Sequence, residues 1–157
     1  MTNNQILRRL RYCFDFKDSK MIEIFAHVNC EVNKEEVCSW LKSDEDEGFV
    51  NCPDVKLASF LDGLIVHNRG KQEGVERKIE KRLNNNIILR KLKIALDFKS
   101  EDMIAILKLA DFRISNHELS AFFRKPENKH FRQCKDQILR NFLMGLQIKY
   151  RGETRES

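Results

Sequence analysis

The stretch NNQILRRLR at residues 3–11 recurs as NNIILRKLK at residues 85–93. Extended outward without a gap, the match places residues 3–70 on residues 85–152, and about a third of the paired residues are identical. Unrelated sequences of ordinary composition would share roughly one residue in fifteen. The chain is therefore an internal duplication, and every residue can be compared with its counterpart in the other copy.

Apolar residues recur at helical spacing within each copy, and no stretch alternates between apolar and polar residues as a strand would. Residues suited to helix starts divide each copy further: Asp18, Asn33 and Asp54 in the first copy, and Ser100, Ser115 and Asp136 in the second. We therefore predict an all-α protein, a tandem duplication of a roughly four-helix unit, with the two copies packed together in pseudo-twofold symmetry.

Glu36 and Glu118 are matched carboxylates with two interpretations. Each lies three residues after Asn33 or Ser115, which is the spacing of a capping box at a helix start. A catalytic carboxylate is the alternative. We adopt the capping box, because it explains why both copies keep the residue.

Gly63 and Gly145 are matched glycines within the fourth helix of each copy. Glycine inside a helix costs about 0.5 to 1 kcal/mol relative to alanine, so its presence in both copies calls for a reason. We predict that each glycine admits a closely approaching backbone, in a contact between the two copies.

The boundaries of the copies follow from composition. We assign residues 3–70 to the first helical repeat, residues 71–84 to a charged linker and residues 85–152 to the second repeat. No stretch approaches 18 consecutive apolar residues, and residues 1–4 lack the features of a signal peptide. We expect a soluble, cytoplasmic protein with no membrane partner.

Several motifs together are specific to one group of proteins. They are NNxILRxLR at residues 3–11, SWL at residues 39–41, GFxxCPD at residues 48–54 and SFLxGLI at residues 59–65. With these motifs the sequence resembles the YehS-like family of small bacterial proteins, whose members carry the same duplicated domain of unknown function. The resemblance covers nearly the whole chain. It implies a helical fold and carries over no activity or catalytic residue.

Signals for catalysis are absent from the sequence. None of the four histidines has a histidine counterpart, and no phosphate-binding loop, HExxH motif or nucleophile elbow occurs. Convergent arrangements of serine or cysteine with histidine leave no such motif, so they stay open. We expect a protein that is not an enzyme and that has no cofactor.

Three of the five cysteines lack a cysteine counterpart, namely Cys13, Cys30 and Cys38. Their counterparts are small or apolar, which indicates core positions. A zinc site built from His27, Cys30 and Cys38 is the alternative, but the spacing lacks the close cysteine pairs of structural zinc sites. The matched Cys52 and Cys134 are interpreted as buried structural thiols. We expect no metal site.

Charge separates the two copies. Residues 3–70 carry 9 Lys or Arg against 12 Asp or Glu, whereas residues 85–152 carry 14 against 7. Our first functional hypothesis is that the basic second repeat binds the phosphates of DNA or RNA. Its candidate contacts are Arg90, Lys91, Lys93, Arg124, Lys125, Lys129, Arg132, Lys135 and Arg140. Local ion pairs such as Arg11 with Asp15 are the alternative for the basic first helix of each repeat.

Our second functional hypothesis is protein binding. The first repeat has an acidic loop, Asp44-Glu45-Asp46-Glu47, where the second repeat has Pro126-Glu127-Asn128-Lys129. Docking of this loop on a partner protein, or on the basic loop of another copy, would make the chain an adaptor or a self-assembling module. Exposed arginines on one stripe favour nucleic acid, whereas exposed apolar residues beside the charges favour a protein.

Overall fold

The computed structural model describes residues 1–72, 74 and 77–152. These residues form eight α-helices and no strand, which confirms the all-α prediction. The chain divides into two compact units, Met1–Leu83 and Asn84–Ser157, with four helices in each. None of the described helices combines the length and the apolar character that crossing a membrane requires.

Corresponding helices of the two units begin at equivalent positions. The first unit contains α1 (Asn3–Phe14), α2 (Asp18–Ala26), α3 (Lys34–Leu41) and α4 (Asp54–Arg69). The second unit contains α5 (Asn85–Ala95), α6 (Ser100–Leu109), α7 (Asn116–Ala121) and α8 (Asp136–Arg151). In each unit the fourth helix packs mainly against the second, and the core lies between them and the first and third helices.

The starts of α3 and α7 confirm the predicted capping boxes. Asn33 Oδ1 accepts a hydrogen bond from Glu36 N at 2.8 Å, and Glu36 Oε1 accepts one from Asn33 N at 3.3 Å. Ser115 and Glu118 make the same two bonds at 3.1 and 3.2 Å. The matched glutamates therefore satisfy backbone groups that a helix start leaves without partners.

The predicted N-caps of the second and fourth helices are wrong by one residue. Asp18, Asp54, Ser100 and Asp136 are the first helical residues, and a lysine or proline precedes each of them. The carboxylates of Asp18 and Asp54 instead contact side chains of another helix. Asp18 Oδ1 lies 3.2 Å from Arg11 Nη2, so Arg11 on α1 reaches α2. Asp54 Oδ1 accepts a hydrogen bond from Asn3 Nδ2 at 2.6 Å.

Gly63 and Gly145 do admit a close backbone, but the partner lies within the same unit. A Cβ atom on Gly63 would stand 2.0 Å from the carbonyl oxygen of Ile24 on α2. One on Gly145 would stand 2.0 Å from the carbonyl oxygen of Ile106 on α6. These glycines set how closely the second and fourth helices approach, so our prediction of a contact between the copies was wrong.

The end of the segment 71–84 packs on α4. Arg77 Nη1 lies 3.8 Å from Asp62 Oδ1, and Asp62 is only 1% exposed. Leu83 N donates a hydrogen bond to Asp54 Oδ2 at 2.9 Å. These contacts attach residues 77–83 to the first unit.

Candidate functional site

The loop between the third and fourth helices is fixed by an asparagine from the first helix of the same unit. In the first unit Asn4 Nδ2 donates to the carbonyl oxygens of Trp40 and Val50 at 3.0 and 2.9 Å, and Asn4 Oδ1 accepts from Cys52 N at 3.0 Å. Asn86 makes the same three bonds at 2.9 to 3.0 Å, to Phe122, Arg132 and Cys134. The matched asparagines therefore hold both loops in the same place.

The two loops also share internal hydrogen bonds. We call residues 42–53 loop 1 and residues 124–135 loop 2. Asp46 Oδ1 accepts from Gly48 N in loop 1, and Asn128 Oδ1 accepts from His130 N in loop 2, both at 2.8 Å. These shared bonds give the two loops a common backbone scaffold. The charges of their side chains differ.

The arginine that faces each loop shows the difference in charge. Arg8 on α1 donates to the carbonyl oxygen of Lys42, and its guanidinium lies 3.2 Å from Asp44 Oδ1. Arg90 on α5 donates to the carbonyl oxygen of Phe123 at 3.2 Å, one residue before the position that corresponds to Lys42. Pro126 replaces Asp44 in loop 2, and Arg90 has no ion pair within the described part of the chain. Arg8 is neutralised by its loop, whereas Arg90 is not.

Further cations surround Arg90. Lys93 Nζ lies 5.6 Å from the centroid of the Phe123 ring, and the Arg132 guanidinium donates to the carbonyl oxygens of Lys129 and Phe131. All members are exposed except the half-buried Lys93. We define the basic loop surface as Arg90, Lys93, Arg124, Lys125, Lys129 and Arg132. Arg124, Lys125, Lys129 and Arg132 belong to loop 2, and the contacts of Arg90 and Lys93 with Phe123 place these two cations beside that loop. The basic loop surface therefore includes six of the nine cations that the sequence singled out.

The other three candidate cations do not join this surface. Lys91 is only 8% exposed, so it adds little to the exposed charge of this surface. Lys135 ends loop 2 and Arg140 lies on α8; both are exposed, and none of their described contacts connects them to Arg90 or Arg132.

Two of the acidic side chains of loop 1 make contacts within the first unit. Asp44 pairs with Arg8, and Asp46 accepts the hydrogen bond from Gly48 N. Glu45 and Glu47 are exposed, and Val50 beside them is 51% exposed. One exposed apolar side chain is ordinary for a soluble surface and does not form a docking patch.

The cysteines fall into two groups. Cys52 and Cys134 are 4% and 2% exposed, and burial raises the pKa of each thiol to about 12, which agrees with structural thiols. Cys13 is buried as predicted, but Cys30 and Cys38 are half-buried, so their assignment to the core was wrong. Their counterparts Phe112 and Ser120 are half-buried as well, so a small or apolar counterpart does not by itself identify a core position.

The described residues contain one group of three side chains whose metal-binding atoms lie together: Glu23, His27 and His67, with these atoms within 4.8 Å of one another. His27 Nε2 lies 3.3 Å from His67 Nδ1. Partial burial, then the charge of Lys20, lowers the pKa of His67, which favours the neutral imidazole. We missed this group, although Glu23 and His27 lie four residues apart, a spacing that places both on one helix face.

Comparisons with known proteins agree with the duplication. The family model described as "Protein of unknown function (DUF1456)" matches twice, at residues 3–70 and 85–152. The "Uncharacterized protein YehS" of Escherichia coli (strain K12) is 45% identical over 147 residues, which cover 93% of this chain and 94% of that protein. No solved structure matches the chain.

Proposed function

This chain belongs to the DUF1456 family, and we propose that it is a cytoplasmic, non-catalytic protein that binds nucleic acid on the basic loop surface of its second unit. One observation carries the proposal: two loops held by the same hydrogen bonds differ in charge, and only Arg90 lacks the carboxylate that neutralises its counterpart Arg8. Both units keep the same loop scaffold, but the charged side chains of loop 1 are mainly acidic and those of loop 2 mainly basic. This is the pattern expected if only the second unit carries the binding site.

The composition of the surface favours phosphate as its target. Three of its six cations are arginines, whose planar guanidinium binds phosphate oxygens in a bidentate manner. Loop 2 has no large exposed apolar side chain among its residues, so it offers little to the core of a protein interface. Contacts to phosphate position a nucleic acid without reading its sequence, so we propose binding with little sequence preference.

A mobility-shift experiment at low salt with mixed DNA and RNA tests the proposal. We expect the full chain to shift nucleic acid, and the variant Arg124→Glu/Lys125→Glu/Arg132→Glu to bind roughly 100-fold more weakly, because three phosphate contacts become repulsive. All three residues are exposed, so the fold should tolerate the changes.

The first unit supplies a matched control. Lys42→Glu/Ser43→Glu/Val50→Glu places glutamates at the three equivalent positions of loop 1, which are also exposed. This variant should bind as the unmodified chain does. No shift by the unmodified chain, or equal weakening by the two triple variants, would refute nucleic-acid binding by the basic loop surface.

A further inference from the structure

We infer that Glu23, His27 and His67 form a binding site for a divalent transition-metal ion of the zinc class on the first unit. Glu23 lies on α2, His27 directly follows that helix, and His67 lies in the last turn of α4. The site therefore joins the two helices whose close approach Gly63 sets.

The distance between the imidazole nitrogens fits a shared metal ion. Zinc binds histidine nitrogen at about 2.0 to 2.1 Å in tetrahedral geometry, which places two ligand nitrogens about 3.3 Å apart. His27 Nε2 and His67 Nδ1 are 3.3 Å apart. A hydrogen bond between neutral imidazoles also fits this distance, so the third ligand group is what favours a metal.

Glu23 supplies the third donor. Lys20 Nζ lies 2.6 Å from Glu23 Oε2, which leaves the second carboxylate oxygen for an ion. Two histidines with one glutamate is a ligand set of catalytic zinc sites, where water takes the fourth position.

The second unit shows that the fold does not need these three side chains. Their counterparts are Ala105, Leu109 and Lys149, and α6 and α8 still pack as α2 and α4 do. Substituting the residues of the second unit into the first is therefore a conservative way to remove the ligands.

Isothermal titration of the reduced full chain with zinc chloride near neutral pH tests the site. We expect saturable binding of one ion per chain. His27→Leu, His67→Lys and Glu23→Ala should each lose more than the roughly 10- to 100-fold in affinity that removing an outer-shell partner costs. Zinc should also perturb the ring-proton resonances of His27 and His67, while those of His117 and His130 stay unchanged.

The half-buried cysteines provide the control, because thiolates also bind zinc. Cys30→Phe/Cys38→Ser, which introduces the residues of the second unit, should keep the full affinity. The inference is overturned if the unmodified chain shows no saturable binding, if the histidine variants bind as tightly as the unmodified chain, or if the cysteine variant alone loses the ion. Circular dichroism checks that each variant is folded.

Discussion

Loop 1 and loop 2 are held by the same hydrogen bonds and carry different charges. Asn4 and Asn86 each donate to one carbonyl at the end of the third helix and one in the loop, and each accepts a hydrogen bond from one loop amide. The two loop backbones are therefore positioned alike. The residues that differ, such as Asp44 and Pro126, lie on the surface. Residues that are identical in the two units therefore maintain the fold. Positions at which the two units carry different residues indicate where their functions differ.

The strongest test of the shared fold is the pair of helix contacts at the matched glycines. Gly63→Ala and Gly145→Ala should each lower the free energy of unfolding by about 3 kcal/mol, because the added methyl group would overlap a backbone oxygen and push two helices apart. Chemical denaturation measures the decrease. An unchanged transition for either variant would show that the two contacts are not equally tight.

The second-largest loss of stability is expected at the matched asparagines Asn4 and Asn86. Asn4→Ala and Asn86→Ala should each cost about 2 kcal/mol, because each change leaves buried loop groups without hydrogen-bond partners. Asn51→Ala, on the exposed side of loop 1, is the control and should change stability by less than about 0.5 kcal/mol. Equal losses for all three variants would contradict the scaffold that we assign to Asn4 and Asn86.

Exchanging the matched residues Asp44 and Pro126 between the loops should change the affinity for nucleic acid modestly. Pro126→Asp should give Arg90 the partner that Asp44 gives Arg8 and weaken nucleic-acid binding about fivefold, as expected for roughly 1 kcal/mol from an exposed ion pair. Fluorescence anisotropy with a labelled oligonucleotide measures the change. Asp44→Pro should have no effect. An equal effect of both exchanges would mean that the basic loop surface is not specific to the second unit.

The matched thiols of Cys52 and Cys134 should behave alike and react more slowly than the half-buried thiols of Cys30 and Cys38. At pH 8 an alkylating reagent should modify the half-buried Cys30 and Cys38 first, because burial raises the pKa of Cys52 and Cys134 to about 12 and keeps them protonated. Mass spectrometry of the digested protein gives the order. Early modification of Cys134 would contradict its burial.

The same thiols have a consequence for stability at high pH. Their folded pKa of about 12 lies above the ordinary value of 9.0, so between these pH values the unfolded chain releases protons that the folded chain keeps. The thiol contribution is therefore complete below pH 9 and is lost as pH rises toward 12. The alanine variant of both cysteines should show a shallower decline in stability over this range, measured by chemical denaturation.

Much of the fold was predictable because the duplication doubles every local signal. The capping boxes of Asn33 and Ser115 and the helical spacing of the apolar residues are local features, and both were predicted correctly. The partner of Gly63 was not, because a helix pattern does not identify the neighbouring helix. Asp18 was misplaced by one residue for a related reason, since its carboxylate binds Arg11 from another helix.

The candidate sites were predictable only where charge was clustered along the chain. Arg124, Lys125 and Arg132 are near neighbours in the sequence, so the basic surface could be proposed from it. His27 and His67 are 40 residues apart and meet only because α2 and α4 pack closely. The absence of histidine counterparts had suggested no site, whereas it marks a group specific to the first unit.

The salt dependence of binding tests the central claim most directly. The affinity of the full chain for a DNA duplex, plotted as log K against log salt, should fall linearly, and the slope should shrink by roughly 0.9 for each phosphate that the protein no longer neutralises. We predict a decrease in slope of about 2.7 for Arg124→Glu/Lys125→Glu/Arg132→Glu and none for Lys42→Glu/Ser43→Glu/Val50→Glu. Identical slopes for the unmodified chain and both variants would contradict binding by the basic loop surface.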